Sequence, residues 1–377
     1  ARSEGATAAD AIVADVADTS VSVRNGEIEN LEQSEAREAT VRVFVGQSSA
    51  SMSGSVLTPD ALQRLVARAV AMAKLAPPDP YAGLAEPSQL ATSFPEIDVA
   101  SDERVSADQL RDRALEAERV AMAVTGVTKS NGAGASAYAG RSAMAASNGF
   151  ERTSRRTSFG NSVSVIAGEG TSMERDYDGH GAVYWSDLES AEKIGRTAGE
   201  RAVRRLNPRK VPSQTVPVIF DRRIATSLVG HLVGGINGAA IARGTSFLKG
   251  DLGKSLFRPE VSIIDDPLRV RGLRSQPFDA EGVAVRPLSF IENGVLTSWV
   301  LDSTTGRELG LATNGRAHRG VSSPPSPGGY NLHMTAGKLS PAELMADIKD
   351  GFYVTELIGS GVNGVTGDYS RGASGFW

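Results

Sequence analysis

The sequence contains no cysteine among its 377 residues. This absence excludes disulfides, thiolate nucleophiles and every cysteine-containing zinc site. An excess of positive charge is also missing, since 40 lysine and arginine residues stand against 44 acidic ones and the formal net charge is −4. Without a global positive field, we expect no binding to nucleic acid or to an anionic membrane surface.

Long hydrophobic segments are missing as well. The longest apolar run, residues 228–242, is interrupted by His231, Asn237 and several glycines, and it is shorter than the ~20 residues of a membrane span. The first residues, "ARSEGATAADAIVADV", contain neither the basic region nor the apolar core of a signal peptide, and they do not begin with methionine. The sequence therefore predicts a soluble, cytoplasmic protein whose first residues were trimmed rather than one that is exported.

Chain length and proline placement predict two domains. The chain is longer than one compact domain usually needs, and the segment "LNPRKVPSQ", residues 206–214, has two prolines and little to bury. We predict an N-terminal domain over residues 1–212 and a C-terminal domain over residues 213–377. The patterns favour an α+β fold, with a mixed sheet and helices in the first domain and a mainly antiparallel β domain carrying a glycine-rich helix in the second.

Local signals predict the individual elements. Asn-Gly pairs at residues 25–26 and 293–294 follow strand-like residues, and this pair favours a tight hairpin because both residues tolerate positive φ. Capping side chains predict helix starts at Thr58, Ser106 and Ser340. The other predicted elements are a helix over 8–16, strands over 39–46 and within 124–169, and helices over 187–206 and 340–350.

A glycine-rich segment, "SLVGHLVGGINGAAIARGTSF" at residues 227–247, is the most unusual part of the chain. If it is helical, an aliphatic stripe recurs every four residues and predicts a face turned to the core. This stripe consists of Ile224, Leu228, Leu232 and Ile236. A second stripe consists of Gly230, Gly234 and Gly238. Since glycine costs roughly 1 kcal/mol relative to alanine inside a helix, three at this spacing predict close approach of another backbone or of a ligand.

His231 lies beside the glycine stripe and raises the question of a metal site. A zinc hydrolase needs about three protein ligands, one open position and a carboxylate that takes the proton from bound water. No second histidine lies within a few turns, and the nearest acids, Asp221 and Asp251, lie outside the helix. The segment does not assemble a zinc site. We expect His231 to be a hydrogen-bonded structural residue, with contact to a peptide as the alternative.

Three other motifs contain candidate functional residues. "GSGVNG", residues 359–364, matches the dinucleotide-binding pattern, but a loop-like stretch follows where that fold needs a helix, so a loop that approaches a peptide or a neighbouring subunit is favoured. Asp279 and Glu281 could divide acid and base roles, although a turn at the start of a hairpin is the favoured interpretation. Ser246 is expected to close the turn after the glycine-rich helix through a backbone hydrogen bond.

Motifs along nearly the whole chain point to a known family. They are "VSVRNGEIENLEQSE", "DPYAGLAEP", "SLVGHLVGGINGAAIARGTSFLKGDLGKSLF", "IIDDP", "SQPFDAEGVAVR", "ENGVLTSWVLD" and "VTELIGSGVNGVTGDYSRGASGFW". Together they resemble the PmbA (TldE) family, one half of the TldD/TldE metallopeptidase system. Chains of that family continue past the position of Trp377, so the resemblance implies that the C-terminal domain is truncated here.

The resemblance also bears on the metal. In the TldD half, the equivalent helix carries His-Glu-x-x-x-His before Gly-Thr-Ser, and a later cysteine completes the site. Counted back from Gly-Thr-Ser at residues 244–246, these positions hold Val229, Gly230 and Gly234 here, and His231 falls on none of them. The resemblance therefore implies a metal-free subunit without a cofactor of its own, paired with a TldD-like chain that carries the zinc.

The sequence is compatible with three functions. The leading one is the metal-free subunit of a complex that degrades unfolded or leader-type peptides, whether or not it is itself an enzyme, because extended peptides bind by strand addition to sheet edges. Its predicted peptide contacts are His231, Gly234, Gly238, Ser246 and Phe247. The alternatives are a stand-alone homodimeric regulatory protein, like the modulators of DNA gyrase, and an independent hydrolase that uses Asp279, Glu281 or a metal held elsewhere.

Overall fold

The N-terminal half is built on one large sheet. The structure is a computed structural model that describes residues 1–377. The strands of this sheet are β1 (Ala8–Arg24), β2 (Glu27–Val45), β3 (Ser48–Gly54), β4 (Val127–Ala146), β5 (Glu151–Ala167) and β6 (Glu174–Ala182). They lie in the order β3-β2-β1-β4-β5-β6, and every neighbouring pair is antiparallel.

Three helices cover this sheet. They are α1 (Pro59–Leu75), α2 (Ala107–Met122) and α3 (Ala191–Arg204). α2 and α3 enclose the larger core, whose fully buried members include Leu110, Ile194 and Val23. The predicted caps are confirmed, since the hydroxyls of Thr58 and Ser106 accept hydrogen bonds from backbone N–H groups in the first turns of α1 and α2.

The predicted helix over residues 8–16 is wrong, because these residues form the first half of β1. Their alanines favour a helix locally, but β1 is an inner strand and pairs along its length with both β2 and β4. Tertiary pairing overrides such a weak local preference. The α+β class is confirmed, while the N-terminal sheet is antiparallel throughout rather than mixed.

The C-terminal half contains three small sheets. Its strands are β7 (Val218–Phe220), β8 (Ile263–Asp265), β9 (Leu288–Glu292), β10 (Val295–Leu296), β11 (Ala317–His318), β12 (Ser326–Pro327), β13 (Leu332–Met334), β14 (Phe352–Ile358) and β15 (Gly372–Phe376). Only β7 and β14 pair in parallel. The helices are α4 (Arg222–Gly235), α5 (Gly238–Ala242), α6 (Ser303–Glu308) and α7 (Pro341–Met345). A second core forms here around Ile236, Phe290, Leu296 and Val300.

Both predicted Asn-Gly hairpins are confirmed, with positive φ at Asn25, Gly26, Asn293 and Gly294. Two predicted helices are shorter than expected, since α3 begins after its cap at Ser190 and α7 ends at Met345. No helix has the length and apolar character needed to cross a membrane. The division at residue 212 stays a prediction. All strands of the six-stranded sheet precede that residue, and all strands of the smaller sheets follow it.

Candidate functional site

Helix α4 starts at a strongly anchored cap. The Asp221 carboxylate accepts hydrogen bonds from the Arg223 backbone N–H at 2.9 Å and from the Tyr353 hydroxyl at 2.8 Å. Burial acts against the charged carboxylate, but these hydrogen bonds and the Arg223 guanidinium outweigh it and lower the pKa of Asp221. The start of α4 is therefore fixed against β14 by a charged cap.

The start of α4 is also tied to the N-terminal sheet by ion pairs. The Arg223 guanidinium lies 2.8 Å from the carboxylate of Asp176 on β6, and the Asp176 side chain is almost fully buried. Arg205, just after α3, lies 3.7 Å from Asp176 and 2.6 Å from Glu356 on β14. These contacts connect β6, α3, α4 and β14, so the N-terminal sheet helps to set the position of α4.

The glycine-rich segment is two helices rather than one. α4 ends at Gly235, and Asn237 starts α5 by accepting a hydrogen bond from the Ala239 N–H at 3.0 Å. At the break, the Gly238 N–H donates to the Val300 carbonyl at 2.8 Å, and a Cβ on Gly238 would lie only 2.6 Å from that oxygen. The predicted close approach of a backbone is therefore found at Gly238.

The other two glycines of the stripe face outward. Gly230 and Gly234 are exposed, and a Cβ built on either has no heavy atom of the protein within 4 Å. The predicted aliphatic stripe is also displaced, since Leu228 is 36% exposed. The face of α4 turned to the second core is formed by Val229, Leu232, Val233 and Ile236. Gly230 and Gly234 thus leave a low, open surface on the helix.

Aromatic side chains border this open surface. The His231 ring stacks edge-on against Tyr369 at a centroid distance of 5.6 Å, and the buried Nδ1 of His231 has no hydrogen-bond partner. The expected hydrogen bond of the His231 side chain is therefore not found, and its ring is positioned by the contact with Tyr369. Phe247 is 39% exposed, and its N–H donates to the Gly364 carbonyl at 2.9 Å. A Cβ on Gly367 would lie 2.9 Å from the Phe247 ring.

Ser246 has the structural role predicted for it. Its buried hydroxyl donates to the Gly235 carbonyl and accepts from the Leu248 N–H at 3.0 Å, which closes the turn after α5. No helix follows the "GSGVNG" segment after β14, which argues against a dinucleotide fold. Contact of this loop with a peptide or a neighbouring subunit stays a prediction. Of the predicted contact residues, His231, Gly234 and Phe247 reach the open side of α4. Gly238 and Ser246 are buried.

The residues at the expected metal positions do not fit a zinc ion. Val229 packs against the second core, and Gly230 and Gly234 have no side chain. No group of three or more histidine, aspartate, glutamate or cysteine side chains could hold a metal in the structure. Zinc needs about four donors, of which the protein supplies at least three. Val229, Gly230 and Gly234 supply none of these donors.

The three glycines predict opposite mutational effects. We expect Gly230→Ala and Gly234→Ala each to raise the free energy of unfolding by up to ~1 kcal/mol, because alanine favours the helix and the added methyl group meets nothing. Gly238→Ala should lower it by ~1–3 kcal/mol through overpacking against the Val300 carbonyl and Thr305. Denaturant unfolding of the three variants measures this. Equal effects at all three positions would contradict the open surface.

Asp279 and Glu281 form the predicted turn, but both are buried. The Asp279 carboxylate accepts hydrogen bonds from the N–H groups of Glu281, Val283 and Ala317 at 2.8, 2.9 and 3.1 Å. Burial, with the charge of Glu281 adding to it, raises the pKa of Asp279 to about 8, and burial raises the pKa of Glu281 against the opposing effect of Arg42. Three backbone donors on Asp279 indicate a structural role rather than a catalytic pair.

This turn adjoins a buried ionic cluster between the two halves of the chain. Asp10 on β1 accepts from the Arg42 Nε on β2 at 2.7 Å and from the Arg319 Nη1, after β11, at 2.6 Å. Glu281 Oε2 accepts from the Ser303 N–H at 2.8 Å, while its Oε1 lies 4.0 Å from Arg42. The cluster therefore holds the C-terminal half against the large sheet. The sequence did not reveal it, since Glu281 and Arg319 lie more than 230 residues along the chain from Asp10 and Arg42.

The raised pKa of Asp279 predicts a pH dependence of stability. In the unfolded chain this carboxyl titrates near 3.8, whereas in the folded chain it titrates near 8. Its contribution to stability is therefore fully present below pH 4 and is lost as the pH rises towards 8. We expect Asp279→Asn to flatten the decline of unfolding free energy between these values, as measured by denaturant titration at several pH values. An unchanged slope would contradict the assignment.

Comparison with known proteins identifies the family of the chain. Family models described as PmbA/TldA metallopeptidase domain 1, central domain and C-terminal domain match residues 9–73, 100–206 and 213–377. The chain therefore belongs to the PmbA/TldA metallopeptidase family. It is 36% identical to the metalloprotease PmbA of Escherichia coli O157:H7, over 100% of this chain and 81% of the relative.

Two crystal structures share the fold. A candidate modulator of DNA gyrase from Bacteroides thetaiotaomicron superposes with a TM-score of 0.90 at 23% identity, over 100% of this chain and 84% of that one. TldE from Thermococcus kodakarensis superposes with a TM-score of 0.84 at 21% identity, over 95% of this chain and 81% of that one. At these identities the likeness concerns the fold alone.

Proposed function

We propose that the chain is the metal-free subunit of a TldD/TldE-type metallopeptidase complex, which degrades unfolded or leader-type peptides in the cytoplasm. The single observation that carries this proposal is the composition of α4. Where the TldD half of the system keeps its metal ligands, this chain has a core-facing valine and two outward glycines, Val229, Gly230 and Gly234. The zinc then lies on a TldD-like partner, and this chain supplies a peptide-contact surface.

The outward side of α4 suits an extended peptide. Gly230 and Gly234 have no Cβ, so the backbone of a peptide can approach the helix closely there. Phe247 and Tyr369, exposed by 39% and 43%, offer apolar contact area on the border of this surface. The half-buried ring of His231, packed against Tyr369, extends this aromatic border.

Co-expression tests the division of roles. We expect the purified chain alone to bind no stoichiometric zinc and to cleave no unstructured peptide, a TldD-like chain alone to be inactive, and the two together to form a zinc-containing complex that cleaves it. Full activity of the TldD-like chain alone, or stoichiometric zinc in this chain, would overturn the proposal. Recovery of gyrase but no TldD-like protein in a pull-down would favour the stand-alone regulatory function.

Filling the open side of α4 tests peptide contact. We expect Gly234→Leu to raise the KM of the complex for the peptide about tenfold, which corresponds to ~1.4 kcal/mol of binding free energy. The folded chain should not lose stability, because leucine favours a helix more than glycine does. Gly250→Leu is the control, since Gly250 is also exposed, with nothing within 4 Å of its Cβ position. Equal KM values for both variants would remove Gly234 from the contact surface.

A further inference from the structure

One edge of the large sheet is left uncovered over twelve residues. β3 pairs with β2 only from Ala39 to Val45, so residues 27–38 of β2 have a strand partner on one side only, which is β1. Apart from β1, no part of the chain makes backbone hydrogen bonds with these residues. At about 3.4 Å per residue, the open edge is ~40 Å long. Such a row of unpaired N–H and C=O groups is a template for another strand.

The open edge is acidic. Residues 27–38 contain five glutamates and one arginine, a net charge of −4 that equals the formal net charge of the whole chain. All five glutamates except Glu38 are exposed, and Glu27 and Glu32 take part in no ion pair. Two copies paired along this edge would bring two such charges together, so self-pairing is disfavoured. A strand rich in lysine or arginine is the complementary partner.

Protection against aggregation would explain the glutamates of this edge, but it does not explain the apolar residues there. Ile28 and Leu31 are 48% and 46% exposed. They pair directly with Val23 and Val21, which belong to the larger core, and therefore lie on the same face of the sheet. The apolar face that packs under α2 therefore continues across β1 to β2, where the side chains of Ile28 and Leu31 are left exposed. A strand added beside β2 would cover both.

We infer that residues 27–38 of β2 form a docking edge for a basic β-strand of a partner polypeptide. The strand pairs with the β2 backbone and places aliphatic side chains beside Ile28 and Leu31. On the opposite face of the sheet it places lysine or arginine side chains beside Glu27 and Glu32, which pair across the ladder with Arg24 and Ser20. This mode is strand addition, in which backbone hydrogen bonds supply affinity and alternate side chains supply specificity. The inference does not depend on the proposed peptidase role, which concerns α4.

The probe is an 11-residue peptide that alternates lysine with valine, tested on the full chain against a version with glutamate in place of lysine. We expect only the lysine peptide to bind in fluorescence anisotropy, with affinity falling as salt rises. Hydrogen–deuterium exchange should show new protection of amides within residues 27–38. E27K/E32K should weaken binding at least tenfold, while E4K/E200K, with the same charge change at exposed glutamates elsewhere, should leave it unchanged.

Several outcomes would overturn the docking edge. Protection confined to other residues would place the peptide elsewhere, and binding without amide protection would show attraction between charges alone. Equal affinities of E27K/E32K and E4K/E200K for the peptide would also show attraction between charges alone. Protection of residues 27–38 that grows with protein concentration, without any peptide, would show that the edge serves a second copy of this chain.

Discussion

Asp265→Ala is expected to lower the free energy of unfolding by ~3–5 kcal/mol, because it leaves the charge of Arg316 buried without its counter-ion. Both side chains are 0% exposed, and the Arg316 Nε lies 2.8 Å from the Asp265 carboxylate. The other Arg316 nitrogens donate to the carbonyls of Asn314 and Arg286 at 2.8 Å each, which fixes the guanidinium in place. Denaturant unfolding measures the loss.

A double variant separates the buried charge from the lost contacts. Asp265→Leu combined with Arg316→Met removes both charges and keeps most of the volume, so we expect it to be less destabilising than Asp265→Ala alone. A loss below ~1 kcal/mol for Asp265→Ala would mean that the buried guanidinium reaches water or another acceptor in the variant. That outcome would contradict the rigid position of Arg316 between β8 and β11.

Asp10→Ala is expected to weaken the junction between the large sheet and the C-terminal half by a similar ~3–5 kcal/mol, since it strips the counter-ion from two buried arginines. Arg42 and Arg319 approach the two oxygens of this one carboxylate, and both side chains are at most 8% exposed. We expect the C-terminal half to unfold at lower denaturant concentration than the large sheet. Limited proteolysis should then cleave faster within residues 206–214.

The same strand offers a matched control for Asp10. Asp15 pairs across the ladder with Arg37 in the way that Asp10 pairs with Arg42, but the Asp15 and Arg37 side chains are 51% and 64% exposed. Exposed ion pairs contribute ~0–1 kcal/mol, so Asp15→Ala should leave unfolding almost unchanged. Equal effects of the two substitutions would show that the Asp10 cluster does not join the two halves.

The sequence predicted those parts of the fold that depend on neighbours along the chain. Asn-Gly hairpins and the caps at Thr58 and Ser106 involve contacts over two to four residues, and the structure confirms each of them. The helix predicted over residues 8–16 failed because β1 is fixed by partners up to 136 residues away in β4. A local pattern contains no information about such a partner.

The candidate site shows the same division. That Val229, Gly230 and Gly234 stand at the metal positions of the TldD half was predicted from the resemblance to that family, counted back from Gly-Thr-Ser at residues 244–246. The break after Gly235 could not be predicted from the sequence, because it depends on Val300, a residue that the second core brings to Gly238. The Tyr369 ring beside His231 was equally invisible in the sequence, since 138 residues separate the two. The buried Asp10 cluster also gave no signal, because its residues look like ordinary surface charges.

The ion pair between Arg223 and Asp176 has a consequence for hybrid proteins. Arg223 lies in the segment matched by the C-terminal family model, and Asp176 lies in the segment matched by the central one. A chimera that joins the first 212 residues of this chain to the last part of a relative would inherit one charge without the other, unless the relative has an arginine at the same place. Exchanging segments between family members therefore requires that this acid and this base be transferred as a unit.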